Sequence, residues 1–174
     1  KILPNIPQTA SFDTAFHQTI PGYAYMYGID YELAKTNHIR RYGFHGSSHR
    51  FVSEQAVKLL GDPKNSKIIT VHVGNGASLA AIKDGHSVDT SMGLTPLPGV
   101  IMGTRSGDID PAVIQFMMNK LGETSEQVLN RLNKMSGMLG ISGLSSDQRD
   151  IEAAAANGDE RSKLALQMQA YSMK

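Results

Sequence analysis

The sequence of 174 residues contains no cysteine, few aromatic residues and no long uninterrupted apolar run. Without cysteine there is no disulfide framework, no thiolate zinc site and no cysteine nucleophile. A membrane-spanning helix needs about 18 continuous apolar residues, and the start of the chain lacks the charged and then apolar layout of a signal peptide. We therefore expect a soluble protein of the cytoplasm.

An excess of charge of one sign is also missing, because 17 basic residues stand against 16 acidic ones and leave a net charge of +1. This balance provides no field over the whole molecule that would attract nucleic acid or an anionic membrane. Neither is expected as a partner, and any anion that the protein binds must be held by a local arrangement of groups.

The chain does contain 40% apolar residues and 17 glycines, a composition typical of a globular α/β protein with many tight turns. Residues 67–73, 77–83 and 86–91 have the composition of strands. They are separated by Asn75-Gly76 and Asp84-Gly85, residue pairs that favour two-residue type I′ turns with positive φ at both positions. The predicted result is an antiparallel three-stranded meander.

Helices are predicted on both sides of this meander. Apolar residues recur at helical spacing from residue 47 or 48 to residue 60, and Asp110-Pro111 resembles an N-cap followed by the first helical residue. Further helices are expected after residue 159 and at two pairs with capping-box spacing, Thr124 with Gln127 and Ser145 with Gln148. Strands followed by helices predict a ribonuclease H-like α/β layer.

Residues 11–17 form a short apolar and β-branched run before the first predicted helix. This composition predicts the end of a strand. Such a strand end would deliver Asp13 and His17 to a site.

Several familiar catalytic motifs are absent: there is no P-loop, no Gly-x-Ser-x-Gly elbow and no His-Glu-x-x-His zinc helix. A different anion-binding device is offered by residues 72–78, where glycines around Asn75 would let backbone N–H groups approach a phosphate. The alternative is an ordinary hairpin turn. Asp84-Gly85 has the same turn chemistry without flanking histidine, and no function is assigned to it.

Two further segments could bind an anion. Residues 40–50 form a basic, glycine-bracketed loop that leads into a helix, where His45 could face an anion; alternatively, His45 and His49 face solvent or cap the helix. Residues 102–111 hold a single arginine, Arg105, between glycines, and its planar guanidinium matches phosphate oxygens. The alternative for Arg105 is a structural ion pair with Asp108 or Asp110.

A fourth polar segment, residues 145–150, lies at another predicted helix start. Helix capping accounts for Ser145 and Gln148. Asp147 and Arg149 are left as possible ligand contacts.

Together these segments resemble the acetate kinase family, within the superfamily of sugar kinases, Hsp70 and actin. The resemblance lies in five strings that follow one another over nearly the whole chain: FDTAFHQTIP, RRYGFHGSSHRFV, HVGNGAS, DTSMGLTPLPGVIMGTRSGDIDP and MSGMLGISGLSSDQRDI. It implies an α/β fold of the ribonuclease H-like, actin-like ATPase type, with the antiparallel meander followed by helices. Departures are few: Pro98 replaces an often acidic residue and Ser47 a frequent threonine.

The resemblance implies reversible, ATP-dependent phosphorylation of acetate to acetyl phosphate, with ATP/ADP and Mg²⁺ as cofactors, in a homodimer that serves acetyl-CoA biosynthesis. Asp13 would be the active-site aspartate, and His45 and Arg105 would be cations that stabilise the migrating phosphoryl group. The remaining implied roles are nucleotide binding by His72, Val73, Gly74, Asn75, Gly76, Asp147, Gln148 and Arg149, and walls of the acyl pocket formed by Phe44 and Pro96.

Phosphoryl transfer passes through a loose, in-line transition state, so that catalysis depends on positioning and on preorganised positive charge. A carboxylate acceptor is already ionised at neutral pH and needs no general base. We therefore expect Asp13 to orient magnesium, or water bound to it, rather than to remove a proton. Alternatives are a propionate or other short-chain acyl kinase, and a non-catalytic nucleotide-binding module on the same scaffold.

The resemblance also implies a domain division. Residues 1–16 would be the end of an N-terminal domain or a hinge strand, and residues 17–174 most of the second actin-like domain, truncated at its C-terminus. Missing from the chain would be an N-terminal domain with its own phosphate loop and an acyl-binding arginine, and a C-terminal segment with a metal-linked glutamate. We expect the chain alone to be inactive, with no complete metal site of its own.

Overall fold

The computed structural model describes residues 6–174. Its strands are β1 (Lys67–Val73), β2 (Ala77–Lys83) and β3 (His86–Thr90), and they form one antiparallel sheet in the order β1-β2-β3. The predicted meander is confirmed. A bulge between Ala81 and Ile82 shifts the register of β2 against β3.

Five of the helices lie where the sequence predicts them: α3 (Gly46–Leu59), α4 (Pro111–Leu121), α5 (Ser125–Lys134), α7 (Gln148–Ala156) and α8 (Glu160–Met173). Three short helices were not predicted: α1 (Gly22–Tyr25), α2 (Tyr31–Thr36) and α6 (Gly137–Ser142). A 3₁₀ helix of five residues, Ala15–Thr19, precedes α1. It packs with α3 against the sheet.

Two of the predicted helix starts are confirmed by their caps. The Asp110 carboxylate accepts a hydrogen bond from the Ala112 amide at 2.8 Å, with Pro111 in the first turn. Thr124 and Gln127 form a complete capping box. These side chains satisfy N–H groups that have no partner within the helix.

The strand end predicted for residues 11–17 is wrong. The Ala15 amide donates to Phe12 O and the His17 amide to Thr14 O, so that the chain turns tightly instead of extending. The turn buries His17, whose ring bonds Ser87 Oγ and Phe44 O. The part of the proposed hinge strand that falls on residues 1–5 lies outside the described residues, and the domain division stays a prediction.

The capping box predicted for Ser145 and Gln148 is also wrong. Asp147 is the N-cap of α7, because its carboxylate accepts a hydrogen bond from the Arg149 amide at 2.9 Å. The Ser145 hydroxyl instead donates to Asp150 and accepts from the Asp147 amide. A carboxylate next to the first turn therefore takes the position that the sequence pattern assigned to the serine.

The two hairpin turns differ. Asp84 and Gly85 have φ of 50° and 80°, as the predicted type I′ turn requires. The prediction for Asn75-Gly76 is wrong, because Val73 pairs with Ala77 and leaves a three-residue loop, Gly74 to Gly76. This loop is held from outside the hairpin: the Gly103 amide donates to Asn75 O at 3.0 Å.

Besides an apolar cluster of Ala77, Met92, Val100 and Met102, the described residues have two interiors that contrast. The apolar interior lies between α6, α7 and α8 and is built on Met138, Ile151 and Ala165. The polar interior lies between α3, the 3₁₀ helix and the sheet, and most of its buried side chains can form hydrogen bonds. These polar side chains are His17, His49, Ser53, Thr70, Ser78, Ser87 and Thr90, and the apolar Ala80 and Ile82 of β2 lie among them.

Because it borders the polar interior, strand β1 reverses the usual burial pattern of apolar side chains inside and polar ones outside. Thr70 and His72 point to the polar interior, whereas Ile69, Val71 and Val73 are 72%, 51% and 52% exposed on the other face. From residue 69 to residue 73 the strand therefore directs its polar side chains inward and its apolar ones outward.

Candidate active site

Three groups that are distant in sequence meet at the glycine loop of the first hairpin. A Cβ atom built on Gly76 would lie 3.0 Å from Arg105 Nη1 and 3.4 Å from His45 Nε2. The absence of a side chain at Gly76 therefore leaves room for backbone, imidazole and guanidinium to approach the same point. These are hydrogen-bond donor groups, and their convergence suits a phosphate or carboxylate.

The backbone of His45 is fixed by Asp13. His45 precedes α3 in a left-handed conformation, with φ of 56°, which is uncommon for a residue other than glycine. Its amide donates to Asp13 Oδ2 at 2.7 Å, and the next amide, of Gly46, donates to Asp13 O at 2.8 Å. A Cβ atom on Gly46 would collide with that carbonyl. Asp13 therefore holds the turn that aims His45 at the loop.

The His45 ring is enclosed by other side chains. Its Nδ1 lies 2.8 Å from Ser78 Oγ, and the ring stacks on His72 with centroids 4.0 Å apart. His72 is in turn bonded to Ser48 Oγ at 2.9 Å. These contacts leave Nε2 as the ring nitrogen that faces Gly76 and Arg105.

Burial lowers the pKa of His45 below its usual value, and the neighbouring His72 and Arg105 lower it further, against the opposing effect of Asp13. At neutral pH the ring is therefore uncharged in this structure. The cationic role that the family resemblance implies for His45 stays a prediction, because the lowered pKa describes the protein without a bound anion. A neutral imidazole can still donate one N–H to an anion.

The Arg105 segment is anchored by backbone hydrogen bonds. The Met102 amide donates to Arg105 O at 3.1 Å, and the Ser136 amide donates to Thr104 O at 3.0 Å. Gly137, with φ of 59°, lies so close that a Cβ atom there would clash with Met102 O. Arg105 is thus presented from a rigid loop.

The guanidinium of Arg105 forms no ion pair within residues 6–174; its Nη1 donates to Pro96 O at 3.3 Å. The predicted alternative of an ion pair with Asp108 or Asp110 is therefore wrong. Asp108 accepts from the Gly99 amide and Asp110 caps α4. The positive charge of Arg105 remains available to a ligand.

The two residues proposed as pocket walls lie beside these donors. Phe44 directly precedes His45 and packs against Ala77, Met92, Val100 and Met102. Pro96 lies against Arg105 through its carbonyl. Both are half-buried. An apolar ring and a proline therefore border the converging donors.

A cleft of about 380 Å³ runs from the glycine loop to the start of α7. It unites two groups of residues that the sequence analysis assigned to nucleotide binding, and its lining consists of Val73, Gly74, Asn75, Gly103, Met138, Ser146, Asp147, Gln148 and Gln169. Its volume falls within the range of small-molecule sites, roughly 300–1,000 Å³.

Arg149 does not line this cleft. Its guanidinium folds back on Asp147, with Nη2 to Oδ2 at 2.5 Å, and its side chain is 88% exposed. The ion pair lowers the pKa of Asp147 to about 2. Asp147 is consequently both a helix cap and the partner of Arg149.

Sequence reasoning missed the groups that support His45, namely Ser48, His49, Thr70 and Ser78. The proposal that His49 faces solvent is wrong, because the residue is only 1% exposed. The available signals were spacing and register. His49 follows His45 by four residues on the same helical face, Thr70 and His72 alternate on one face of β1, and Ser78 is the direct partner of His72 in β2.

Within the described part of the chain, no group of three or more histidine, aspartate or glutamate side chains could hold a metal ion. Among the same residues, no helix is long and apolar enough to cross a membrane.

Comparisons with known proteins agree over the whole chain. The model of the acetokinase family matches residues 1–174. The acetate kinases of Phocaeicola vulgatus and Heliobacterium modesticaldum are each 59% identical over 174 residues, which cover 99% of this chain and 44% of theirs. The chain thus spans less than half the length of these relatives.

Solved structures give the same result. The acetate kinase of Porphyromonas gingivalis superimposes with a TM-score of 0.93 at 50% identity, over 98% of this chain and 43% of that one. A propionate kinase from Francisella tularensis subsp. tularensis SCHU S4 gives 0.94 at 50% identity, over 99% of this chain and 44% of that one. The expected actin-like fold is confirmed by this likeness, and the chain belongs to the acetokinase family.

Proposed function

We propose that this chain is the central part of an acetate kinase, which transfers the γ-phosphoryl group of ATP to acetate and reverses the reaction. The observation that supports this most strongly is the meeting of Gly76, His45 Nε2 and Arg105 Nη1 at one point. In the forward step a carboxylate oxygen of acetate forms a new bond to the γ-phosphorus. The bond from that phosphorus to the bridging oxygen breaks, and ADP leaves with the electron pair.

Arg105 and His45 are the proposed catalytic donors. Negative charge accumulates on the equatorial oxygens of the migrating phosphoryl group, and fixed donors aimed there lower the barrier. Arg105 contributes a full positive charge that no carboxylate neutralises within residues 6–174. His45 contributes a neutral N–H whose position is set by Asp13, Ser78 and His72.

The acceptor carboxylate is ionised at neutral pH, so that no residue has to remove a proton. This agrees with a positioning role for Asp13, whose Oδ2 is engaged by the His45 amide. Mg²⁺ is the proposed cofactor. Proteins usually hold it by one or two carboxylates together with phosphates and water, and a single carboxylate beside anion-binding donors fits that set. Asp13 would hold it through water, and the ion would neutralise charge on the phosphate oxygens.

The cleft between the glycine loop and α7 is the proposed nucleotide site. His72, Val73, Gly74, Asn75 and Gly76 would border the phosphates. Asp147 and Gln148 would lie at the adenosine end, since both line the same cleft. Arg149 would act there only indirectly, because it is paired with Asp147.

Acetate is the proposed acceptor, with Phe44 and Pro96 as walls of its pocket. One methylene changes binding by only about 1–3 kcal/mol in such a pocket, so a propionate kinase is the nearest alternative; the likeness to a propionate kinase structure keeps it open. Trapping of acyl phosphate with hydroxylamine, using full-length enzyme, ATP, magnesium and a panel of short acids, decides between them. A higher kcat/KM for propionate than for acetate would refute the choice of acetate.

Replacing Arg105 by alanine in the full-length enzyme tests the catalytic assignment. We expect kcat to fall on the order of 10³-fold, as for other arginines that stabilise a transferring phosphoryl group. Arg131→Ala is the matched control, because Arg131, on α5, pairs with Glu123 and takes no part in the site. Unchanged turnover in Arg105→Ala would favour a non-catalytic nucleotide-binding module.

A homodimer, location in the cytoplasm and a supply of acetyl phosphate for acetyl-CoA biosynthesis complete the proposal. The dimer is tested by sedimentation of the full-length protein. A monomer at micromolar concentration would contradict it.

A further inference from the structure

A continuous row of hydrogen bonds leads from the polar interior to the donor that faces the glycine loop. Thr70 Oγ1 lies 2.7 Å from His49 Nδ1, and His49 Nε2 lies 2.8 Å from Ser78 Oγ. Ser78 Oγ lies 2.8 Å from His45 Nδ1. Thr70, His49 and Ser78 are 4%, 1% and 0% exposed, so the row is closed to solvent up to His45.

The number of protons available restricts which atom donates in each hydrogen bond of this row. A hydroxyl group carries one proton, and a neutral imidazole carries one N–H. Ser78 lies between two ring nitrogens and could in principle accept from both. Its own hydroxyl proton would then have no acceptor among residues 6–174, because Oγ has no other partner there. Ser78 therefore donates to one ring nitrogen and accepts from the other. Burial, reinforced by the neighbouring histidines, lowers the pKa of His49 to about 4, which makes its ring neutral at neutral pH. Only two arrangements remain, and each fixes every proton in the row.

In the first arrangement the protons point toward the site. Thr70 donates to His49 Nδ1, His49 Nε2–H donates to Ser78, and Ser78 donates to His45 Nδ1. The single proton of a neutral His45 is then on Nε2. Each of the three hydrogen bonds then has a donor and an acceptor, and Nε2–H of His45 faces the point shared with Gly76 and Arg105.

In the second arrangement the protons point away from the site. His45 Nδ1–H donates to Ser78, Ser78 to His49 Nε2, and His49 Nδ1–H to Thr70. The hydroxyl proton of Thr70 then has no acceptor among residues 6–174, since His49 is the one side-chain or backbone partner of Oγ1 there. Leaving a buried donor unsatisfied is costly, so the first arrangement is favoured.

The two arrangements also differ at the site. The first presents an N–H of His45 to the point shared with Gly76 and Arg105, where the other groups are donors as well. The second presents a lone pair, which would repel the oxygens of an anion. The stacked His72 does not alter this, because its Nδ1 is bonded to Ser48.

We propose that Thr70, His49 and Ser78 are positioning residues that hold His45 as the neutral Nε2–H tautomer, ready to donate to an anionic oxygen. The orientation of His45 follows from the hydrogen bonds alone. That the acceptor is a phosphoryl oxygen rests on the function proposed above. Groups that orient a metal-binding histidine through its second nitrogen affect affinity or activity by about 10- to 100-fold, and we expect an effect of that order here.

The tautomer is measured directly by ¹⁵N NMR of histidine-labelled full-length protein without ligand at neutral pH, with His45 assigned from a His45→Gln variant. We expect its proton on Nε2. A proton on Nδ1 would overturn the proposal, whether or not the protein makes acetyl phosphate. A proton on Nε2 in a protein that makes no acetyl phosphate would leave the proposal standing and refute the function.

Thr70→Val removes the first donor and keeps the shape of the side chain. We expect a loss of the fixed Nε2–H signal of His45 and a fall in kcat of about tenfold, with little change in KM. Thr70→Ser should restore both the signal and kcat. A purely structural role would lower the unfolding midpoint of Thr70→Val while leaving the tautomer and kcat unchanged, and that result would contradict the proposal. If Thr70→Val does not fold, the spectrum of the unaltered protein decides alone.

Discussion

The interior between α6, α7 and α8 is built on Met138, Ile151 and Ala165, whereas the interior between α3 and the sheet consists mainly of histidine, serine and threonine side chains. Apolar contacts have no direction and stabilise roughly in proportion to the area buried. Hydrogen bonds between buried groups add little net stability, but they fix orientation and are costly to break. The first interior therefore suits stability, and the second suits the placement of His45.

The largest effect on stability is expected from the apolar interior. Ile151→Ala removes a side chain that is fully buried, and such truncations cost roughly 2–5 kcal/mol. Urea unfolding of the full-length protein measures the loss. The kcat of the folded variant should remain near that of the unaltered protein, and Ile151→Val should show a smaller loss of stability in the same direction.

Acid should weaken the polar interior and spare the apolar one. The pKa of His49 is lowered to about 4 by burial and by its histidine neighbours, while that of an exposed histidine is about 6.5. The unfolded chain therefore binds a proton first. Above the pKa of histidine in the unfolded chain, the contribution of neutral His49 to the free energy of unfolding is fully present. It is lost as pH falls from there toward about 4, and the loss is about 3 kcal/mol for this residue.

Urea unfolding at several pH values between about 7 and 4.5 tests this expectation. Hydrogen exchange should show that the amides of α3 and β1 lose protection before those of α8. His86→Gln is the control, because His86 is exposed on β3 and bonds only the nearby turn. A pH dependence that His86→Gln abolishes, or that is uniform over the molecule, would contradict the assignment to the polar interior.

A smaller change with a sharper readout is Gly76→Ala. The added methyl would lie 3.0 Å from Arg105 Nη1 and 3.4 Å from His45 Nε2, so the guanidinium must shift while the hairpin backbone stays as it is. Misplacement of a catalytic group by about 1 Å can cost about 10²-fold in rate. We expect kcat/KM to fall by about that factor with little change in the unfolding midpoint.

Gly28→Ala serves as the control for Gly76→Ala, since a Cβ atom there meets nothing within 4 Å. It should leave both quantities unchanged. A Gly76→Ala variant that is as active as the unaltered protein would mean that the three groups do not act on one ligand.

The smallest effect is expected for a polar pair that is not buried. Arg50 and Glu54 form an ion pair of 2.9 Å on the outer side of α3, with side chains 68% and 49% exposed. Exposed pairs contribute little because water competes for both charges. Glu54→Ala should leave the unfolding midpoint within experimental scatter. A clear drop would contradict the view that polar contacts in this region matter for stability only where they are buried.

Much of the architecture could be predicted from local signals. The caps of α4 and α5 and the positive φ at Asp84-Gly85 are properties of a few adjacent residues. The Ser145 capping box failed for a local reason, since Asp147 caps α7 instead, but two other predictions failed where a distant contact decided the outcome. The loop at Gly76 is shaped by Gly103, and the chain at Asp13 is turned by the burial of His17.

The site shows the same division. Glycines, a histidine and an arginine in recognisable strings pointed to His45, Gly76 and Arg105. The protonation of His45 could not be predicted, because it depends on a pKa set by burial and on hydroxyl groups from two strands. These partners are common serine and threonine residues whose importance follows only from their position in three dimensions.

The outward-facing apolar row of β1 has a practical consequence for anyone who produces this polypeptide alone. Ile69, Val71 and Val73 lie on the edge strand of the sheet, beside backbone groups that no neighbouring strand of residues 6–174 covers. Edges of this kind recruit further strands and promote aggregation. Recombinant material limited to these residues should therefore precipitate or form soluble aggregates in size-exclusion chromatography, and charged substitutions at Ile69 and Val71 should increase the monomeric yield.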